Sequence, residues 1–280
     1  NMKMNNDKYD LLSYNKNPEI ENTYRLENGT VIKEMSQTKD LGVIMSNDGR
    51  FSNHISNLVS NCKKTISMLF RTFKTRNDEV MLTLYRALVL SKIDYCSVLW
   101  CPSDLSDMRK LEKVQANFTS RMKCAKNDSG NKRDYWQRLR HLNLYSIQRR
   151  FERYAVIYVW KILHGIVHNP GLVFKNECPA QSRLGITCIV PKCTGKLREN
   201  SFLVRGPKLF NSLPKDIREF TFDNGIQQQQ AIDNFKKRLD EYLALIPDEP
   251  SSRSDYTKYM TGINMHGEVT NSIIRNAKCN

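Results

Sequence analysis

The chain reads as an α+β fold, mostly α: a small antiparallel sheet at the N-terminus, then a helical bundle, then a helical C-terminal region. Three observations carry this reading. Residues 1–46 hold short apolar runs broken by turn residues. Asn28-Gly29 supplies the strongest short hairpin signal, because both residues tolerate positive φ. From residue 52 onward the apolar spacing changes to threes and fours, the period of an amphipathic helix.

Taken in order, Tyr9–Tyr14 is a short strand, and Thr23–Leu26 and Val31–Met35 flank the Asn28-Gly29 turn. Leu41-Gly42-Val43-Ile44 is a further apolar strand, with Gly42 allowing close backbone approach or a bulge. The first helix buries Ile55, Leu58, Val59, Cys62, Ile66, Leu69, Phe70 and Phe73 on one stripe. It also carries Lys63, Lys64, Arg71 and Lys74 and, from Ser52 on, no acid. Thr75-Arg76-Asn77-Asp78 starts a second helix, which uses Val80, Met81, Leu84, Tyr85, Leu88 and Val89 and reaches Trp100. After Cys101-Pro102, Ser103 caps a third, with Leu111, Val114, Phe118 and Met122 inside. Arg109, Lys110, Lys113, Arg121 and Lys123 fall mostly outside.

The polar linker Asn127–Asn131 marks a subdomain boundary. Beyond it lie a short helix over Arg133–Leu142 and a longer one from Ser146 that stops at Gly165. Residues 169–200 are turn-rich, Ser201–Arg205 reads as a strand, and Gly206–Pro214 as a short helix bracketed by prolines. The glutamine run 227–230 leads into a last helix using Ile232, Phe235, Leu239, Tyr242 and Leu243. After Pro247 the pattern is polar and aperiodic, as in a poorly ordered tail. The division is therefore 1–50, 51–126, 127–246 and 247–280.

Charge narrows the partners. Against 29 Asp+Glu stand 44 Lys+Arg, a net charge of +15, which favours a polyanion and nucleic acid before a membrane surface. No apolar run is long enough to span a bilayer. Cys62, Cys96 and Cys124 fall at apolar helical positions, where free thiols pack as small hydrophobes, pointing to a reducing, intracellular compartment, cytoplasmic or nuclear. His164, His168, Cys178, Cys188 and Cys193 lack the C-x₂-C pairs of structural zinc, so no metal site is assigned, and His164 packs or hydrogen-bonds near its helix end. Neither a Gly-x-Ser-x-Gly elbow nor a phosphate-binding glycine loop is present.

Several stretches in order resemble the C-terminal part of a reverse transcriptase from a non-LTR (LINE-type, jockey/CR1-like) retrotransposon. Asn5-Asn6-Asp7-Lys8 resembles the Asn-x-x-Lys segment that follows the catalytic turn, and Lys39-Asp40-Leu41-Gly42-Val43 resembles the primer grip. Phe51–Ile55, Arg71–Phe73, Leu84–Val89, Asp94–Trp100 and Leu111–Gln115 resemble the thumb-like helices. Lys161–Gly165 and Val204–Pro214 resemble the segment that follows. The resemblance covers roughly residues 1–246 and implies an RNA-directed DNA polymerase, with Mg²⁺ held by aspartates in the intact parent. No Asp-Asp pair occurs in this chain, and it begins at Asn1 rather than Met, so the expectation is a fragment that binds template–primer duplex of RNA and DNA without polymerising alone. The upstream palm and fingers are its implied protein partners.

On that resemblance Lys8 is a pyrophosphate-side cation of the intact parent; the competing reading is an exposed Lys at the start of a strand. Leu41 and Gly42 hold a primer terminus, or form a hairpin packed in a small sheet. Lys63, Lys64, Arg71, Lys74 and Arg76 contact duplex phosphates, or line a solvated helix face. A non-catalytic helical protein-interaction module, or a decayed remnant, is the alternative function.

Overall fold

The computed structural model describes residues 9–14, 23–102, 104–127, 129–175, 185–220, 227–246 and 248. Within them the protein is mostly helical, with small strand pairs near the N-terminus and helices after. Lys8, Ser103, Cys178 and the tail beyond Pro247, Asp248 excepted, lie outside the described residues.

The strands are shorter than the sequence implies. Asp10–Leu11 (β1) pairs in parallel with Lys33–Glu34 (β2), an addition to the antiparallel pairing expected here. The Asn28-Gly29 turn forms, closed by Leu26 N–H to Thr30 O at 2.9 Å, but its arms meet only at the single antiparallel bridge Arg25–Val31. Gln37–Asp40 (β3) and Val43–Ser46 (β4) make an antiparallel hairpin with Asp40 opposite Val43. Leu41 and Gly42 are thus its two-residue turn and not the start of a strand. Both have positive φ, 43° and 89°, the backbone that matches the twist of two antiparallel strands.

Helix α1 (Ser52–Thr72) buries Ile55, Leu58, Val59, Cys62, Ile66 and Leu69, as the spacing requires. Helix α2 (Asp78–Tyr85) is capped by Asn77, whose side chain accepts from the N–H groups of Glu79 and Val80. The chain then passes through a wider π-type turn at Arg86–Leu90 into α3 (Ser91–Asp94). A single helix to Trp100 does not form. Cys96 adopts φ 52° and breaks it before α4 (Ser97–Trp100), and Cys96 is exposed where the pattern placed it inside. The break lets the Trp100 indole N–H donate to Tyr95 O at 2.7 Å while its ring is fully buried.

Helix α5 (Leu105–Thr119) packs along α1, burying Leu111, Val114 and Phe118. Helices α6 (Tyr135–Leu142) and α7 (Ile147–Leu163) follow, α6 opened by a full capping box on Asp134 and Gln137. The apolar core does not divide at 127–131. One cluster runs from Val43 to Phe151, and a second starts at Ala155, so α7 itself joins the two halves. At its end the His164 ring lies 4.3 Å from that of Trp160, with Nδ1 2.9 Å from the Trp160 carbonyl, as expected.

Beyond α7, Phe174–Lys175 (β5) pairs antiparallel with Thr187–Cys188 (β6), followed by α8 (Lys196–Glu199). The strand expected at Ser201–Arg205 is instead the first half of helix α9 (Phe202–Asn211). Burial against α7 overrides the local β-preference. Gly206 brings the two helices close, since an added Cβ would stand 3.0 Å from Val159 Cγ2 and 2.9 Å from Phe202 Cε2. Helix α10 (Lys215–Arg218) leads to α11 (Gln228–Leu245), which packs Phe235 flat on Trp160 with ring centroids 4.4 Å apart.

Candidate nucleic-acid interface

Several arginines are spent inside the fold. Arg150 forks onto Asp94 with 2.7 and 2.5 Å bonds, and Arg153 onto Asp240 with 2.5 and 2.7 Å bonds. Both guanidinium pKa values lie above the ordinary value; burial opposes that shift, and the hydrogen-bonded carboxylates outweigh it. Arg149 is buried and donates to the carbonyls of Leu243 and Ile246, closing the C-terminal end of α11. These cations fasten helices together and are not presented to a ligand.

Helix α1 presents the opposite case. It contains no Asp or Glu, and Lys63, Lys64 and Arg71 are exposed on the side away from its buried stripe. Positions 63, 64, 67 and 71 fall on one face at 3.6 residues per turn. Lys74, just past the helix, is exposed as well.

The C-terminal end of this face is held by a set of contacts that lace two chain segments together. Lys123 N–H donates to Arg76 O at 3.1 Å, and Cys124 N–H to Asp78 Oδ1 at 3.0 Å. Below them Phe118 stacks on Tyr85 with centroids 4.3 Å apart and packs against Phe70 at 5.4 Å. The lacing brings Arg121, just beyond α5, beside Arg71 and Arg76. Together with Ser67 and Phe70 these three arginines line an open cleft of about 540 Å³. The guanidinium carbons of Arg76 and Arg121 stand 4.8 and 5.1 Å from the centroid of the Phe70 ring.

Arg76 occupies a place in this cleft that sequence alone does not reveal. Its guanidinium donates to the carbonyls of Phe70 (3.1 Å), Phe73 (2.5 Å) and Thr75 (3.1 Å). It therefore caps α1 and contributes charge, with most of its donors already engaged. Arg121, grouped in the sequence with other outward-facing cations, is the added member. The only signal for it would have been knowledge that Phe118 reaches Phe70, across 48 residues.

At the other end of the first core, the β3–β4 turn is pinned from a distance. Tyr95 Oη donates to Leu41 O at 2.9 Å, and a Cβ on Gly42 would lie 3.7 Å from the same ring. Leu41 itself is 82% exposed, so its side chain projects from the tip and is not packed in a sheet.

Other chemistry is sparse. Burial pushes the thiols of Cys62, Cys124 and Cys188 up to about 11, leaving them protonated and apolar at neutral pH. Among the described residues no group of three or more His, Cys, Asp or Glu side chains converges to hold a metal ion. The chain contains no adjacent aspartate pair, and no phosphoryl-transfer step is assigned to it. Among the described residues no helix is long and apolar enough to cross a membrane.

Comparison with protein-family models, with curated proteins and with solved structures found no match.

Proposed function

We propose that this chain is a template–primer-gripping portion of an RNA-directed DNA polymerase of the non-LTR retrotransposon kind, one that binds nucleic acid and does not polymerise by itself. The single observation that carries the reading is the acid-free outer face of α1, where Lys63, Lys64 and Arg71 lead into the three-arginine cleft. Lysines and arginines with no carboxylate partner on their own helix suit a polyanion, since binding then releases counterions from the phosphates. In this reading the contacts go to the backbone, and to 2′-hydroxyls where RNA is present, and carry no sequence information. Lys8, Leu41 and Gly42 belong to the polymerase reading through the resemblance, with Leu41 exposed at the tip of its turn.

Titrating the purified chain into labelled RNA–DNA hybrid, duplex DNA and single strands of unrelated sequence tests this. The reading expects binding that is indifferent to sequence and weakens by orders of magnitude between about 50 and about 200 mM salt. Absence of binding at the lower concentration, or binding that ignores salt, contradicts it. Primer extension by the chain alone with Mg²⁺ would contradict its second half.

One observation favours the alternative of a non-catalytic protein-interaction module. An apolar cleft of about 510 Å³ lies between Phe51, Ile55 and Leu99 on one side and Leu197, Phe202 and Leu203 on the other. Leu99, Leu197 and Leu203 are exposed. Charge reversal on α1 separates the two readings: it abolishes polyanion binding and leaves a partner seated in the apolar cleft untouched.

A further inference from the structure

We propose that the cleft between the C-terminal ends of α1 and α5 seats one backbone phosphate of a nucleic-acid strand, gripped by Arg71 and Arg121 with Arg76 as the fixed member beneath; this rests on the reading of α1 as a nucleic-acid-facing helix. Neither Arg71 nor Arg121 meets a carboxylate among the described residues, and both are exposed. The acid nearest to Arg71 in sequence, Asp78, is already engaged: Oδ1 accepts from Cys124 N–H at 3.0 Å and Oδ2 lies 3.8 Å from His141 Nε2.

Phe70 supplies the pre-organisation. An exposed arginine normally samples many rotamers, and ordering it costs entropy on binding. Here the Arg121 guanidinium already rests 5.1 Å from the Phe70 centroid, so its planar fork is held at the cleft before any ligand arrives. Arg76 cannot reorient, because three carbonyls hold it, yet its charge lies at the same ring. Ser67, one turn before Arg71, places a hydroxyl on the lip.

Position argues for a phosphate within a strand. Lys63 and Lys64 lie on the same face, and Lys64 precedes Arg71 by seven residues, roughly 10 Å along the axis. A row of cations ending in a fork fits a ligand that carries several phosphates in line.

The test uses the full chain and a fluorescently labelled RNA–DNA hybrid, with affinity measured at several salt concentrations. Arg121→Gln is expected to weaken binding about five- to tenfold and to lower the slope of log K against log salt by about one. Arg121→Lys should restore the slope but not the full affinity, because a point charge replaces the fork. Arg71→Gln with Arg121→Gln should lose less than the product of the single losses, since both act on one phosphate, whereas Lys63→Gln and Arg121→Gln should multiply. If the parent chain binds the hybrid and Arg121→Gln matches it in affinity and slope, the seat is overturned while the α1 reading stands. If the parent chain does not bind, both fall. Arg121 is exposed, and an unchanged circular dichroism spectrum confirms that its variants remain folded.

Discussion

The backbone N–H of Lys123 donates to the carbonyl of Arg76 at 3.1 Å, joining the chain after α5 to the linker between α1 and α2. That bond sets the distance between the α1 face and Arg121. It also places Arg76 where its guanidinium can turn back onto α1.

Arg76→Ala removes three hydrogen bonds to carbonyls at the end of α1 and the contact with Phe70. Hydrogen bonds from charged donors carry more than neutral ones, and a helix end left uncapped frays. The expected loss is about 2 kcal/mol in urea unfolding. Nucleic-acid affinity should fall as well, because Arg76 carries one of the three charges of the cleft and ties down the end of α1 that carries Arg71. An unchanged denaturation midpoint would contradict the capping role.

The β3–β4 turn separates backbone strain from packing. Gly42 has φ 89°, and a Cβ there meets only ordinary contact at Tyr95. Gly42→Ala should therefore cost about 1 kcal/mol through its dihedral alone. Tyr95→Phe removes the bond to Leu41 O, which lies at the surface, so global stability should change by less than about 1 kcal/mol. Faster amide exchange of residues 38–45 in Tyr95→Phe, with an unaltered melting temperature, is the expected pattern.

His54 makes stability depend on pH. Burial first, and the Lys39 charge second, hold its pKa below the ordinary value near 6.5. Its Nδ1 accepts from Ile44 N–H at 3.4 Å, and its ring stands edge-on to Trp100 at 5.2 Å. The folded state keeps the imidazole neutral while the unfolded chain takes up a proton. Stability is fully present above about pH 6.5 and declines as pH falls toward the lowered folded value. In His54→Gln the urea midpoint should lose part of its dependence on pH below 6.5. An identical pH profile in parent and variant would exclude His54 as its source.

What could be read in advance follows from how local each feature is. The stripe from Ile55 to Leu69 and the helix starts within Thr75–Asp78 and near Arg133 are set by residues within a turn or two, and they stand as the pattern indicates. The break at Cys96 carries no glycine or asparagine to announce it, so the periodicity runs straight through. Ser201–Arg205 has the apolar, β-branched character of a strand, and only the close seat of Gly206 on α7 makes it a helix. In the candidate site, Lys63, Lys64 and Arg71 were legible because they share one helix. Arg121 was not, because its place depends on contacts between segments far apart in sequence. Arg76 was legible as a cation but not as a cap.

The most direct test of the account compares the salt dependence of RNA–DNA hybrid binding by the parent chain and by the combined variant Lys63→Gln, Lys64→Gln, Arg71→Gln. If α1 is the gripping face, the slope of log K against log salt falls by about three and affinity at low salt drops at least a hundredfold, roughly one counterion for each charge removed. If the variant keeps the parent's slope and affinity, the acid-free face of α1 is not where this protein meets nucleic acid.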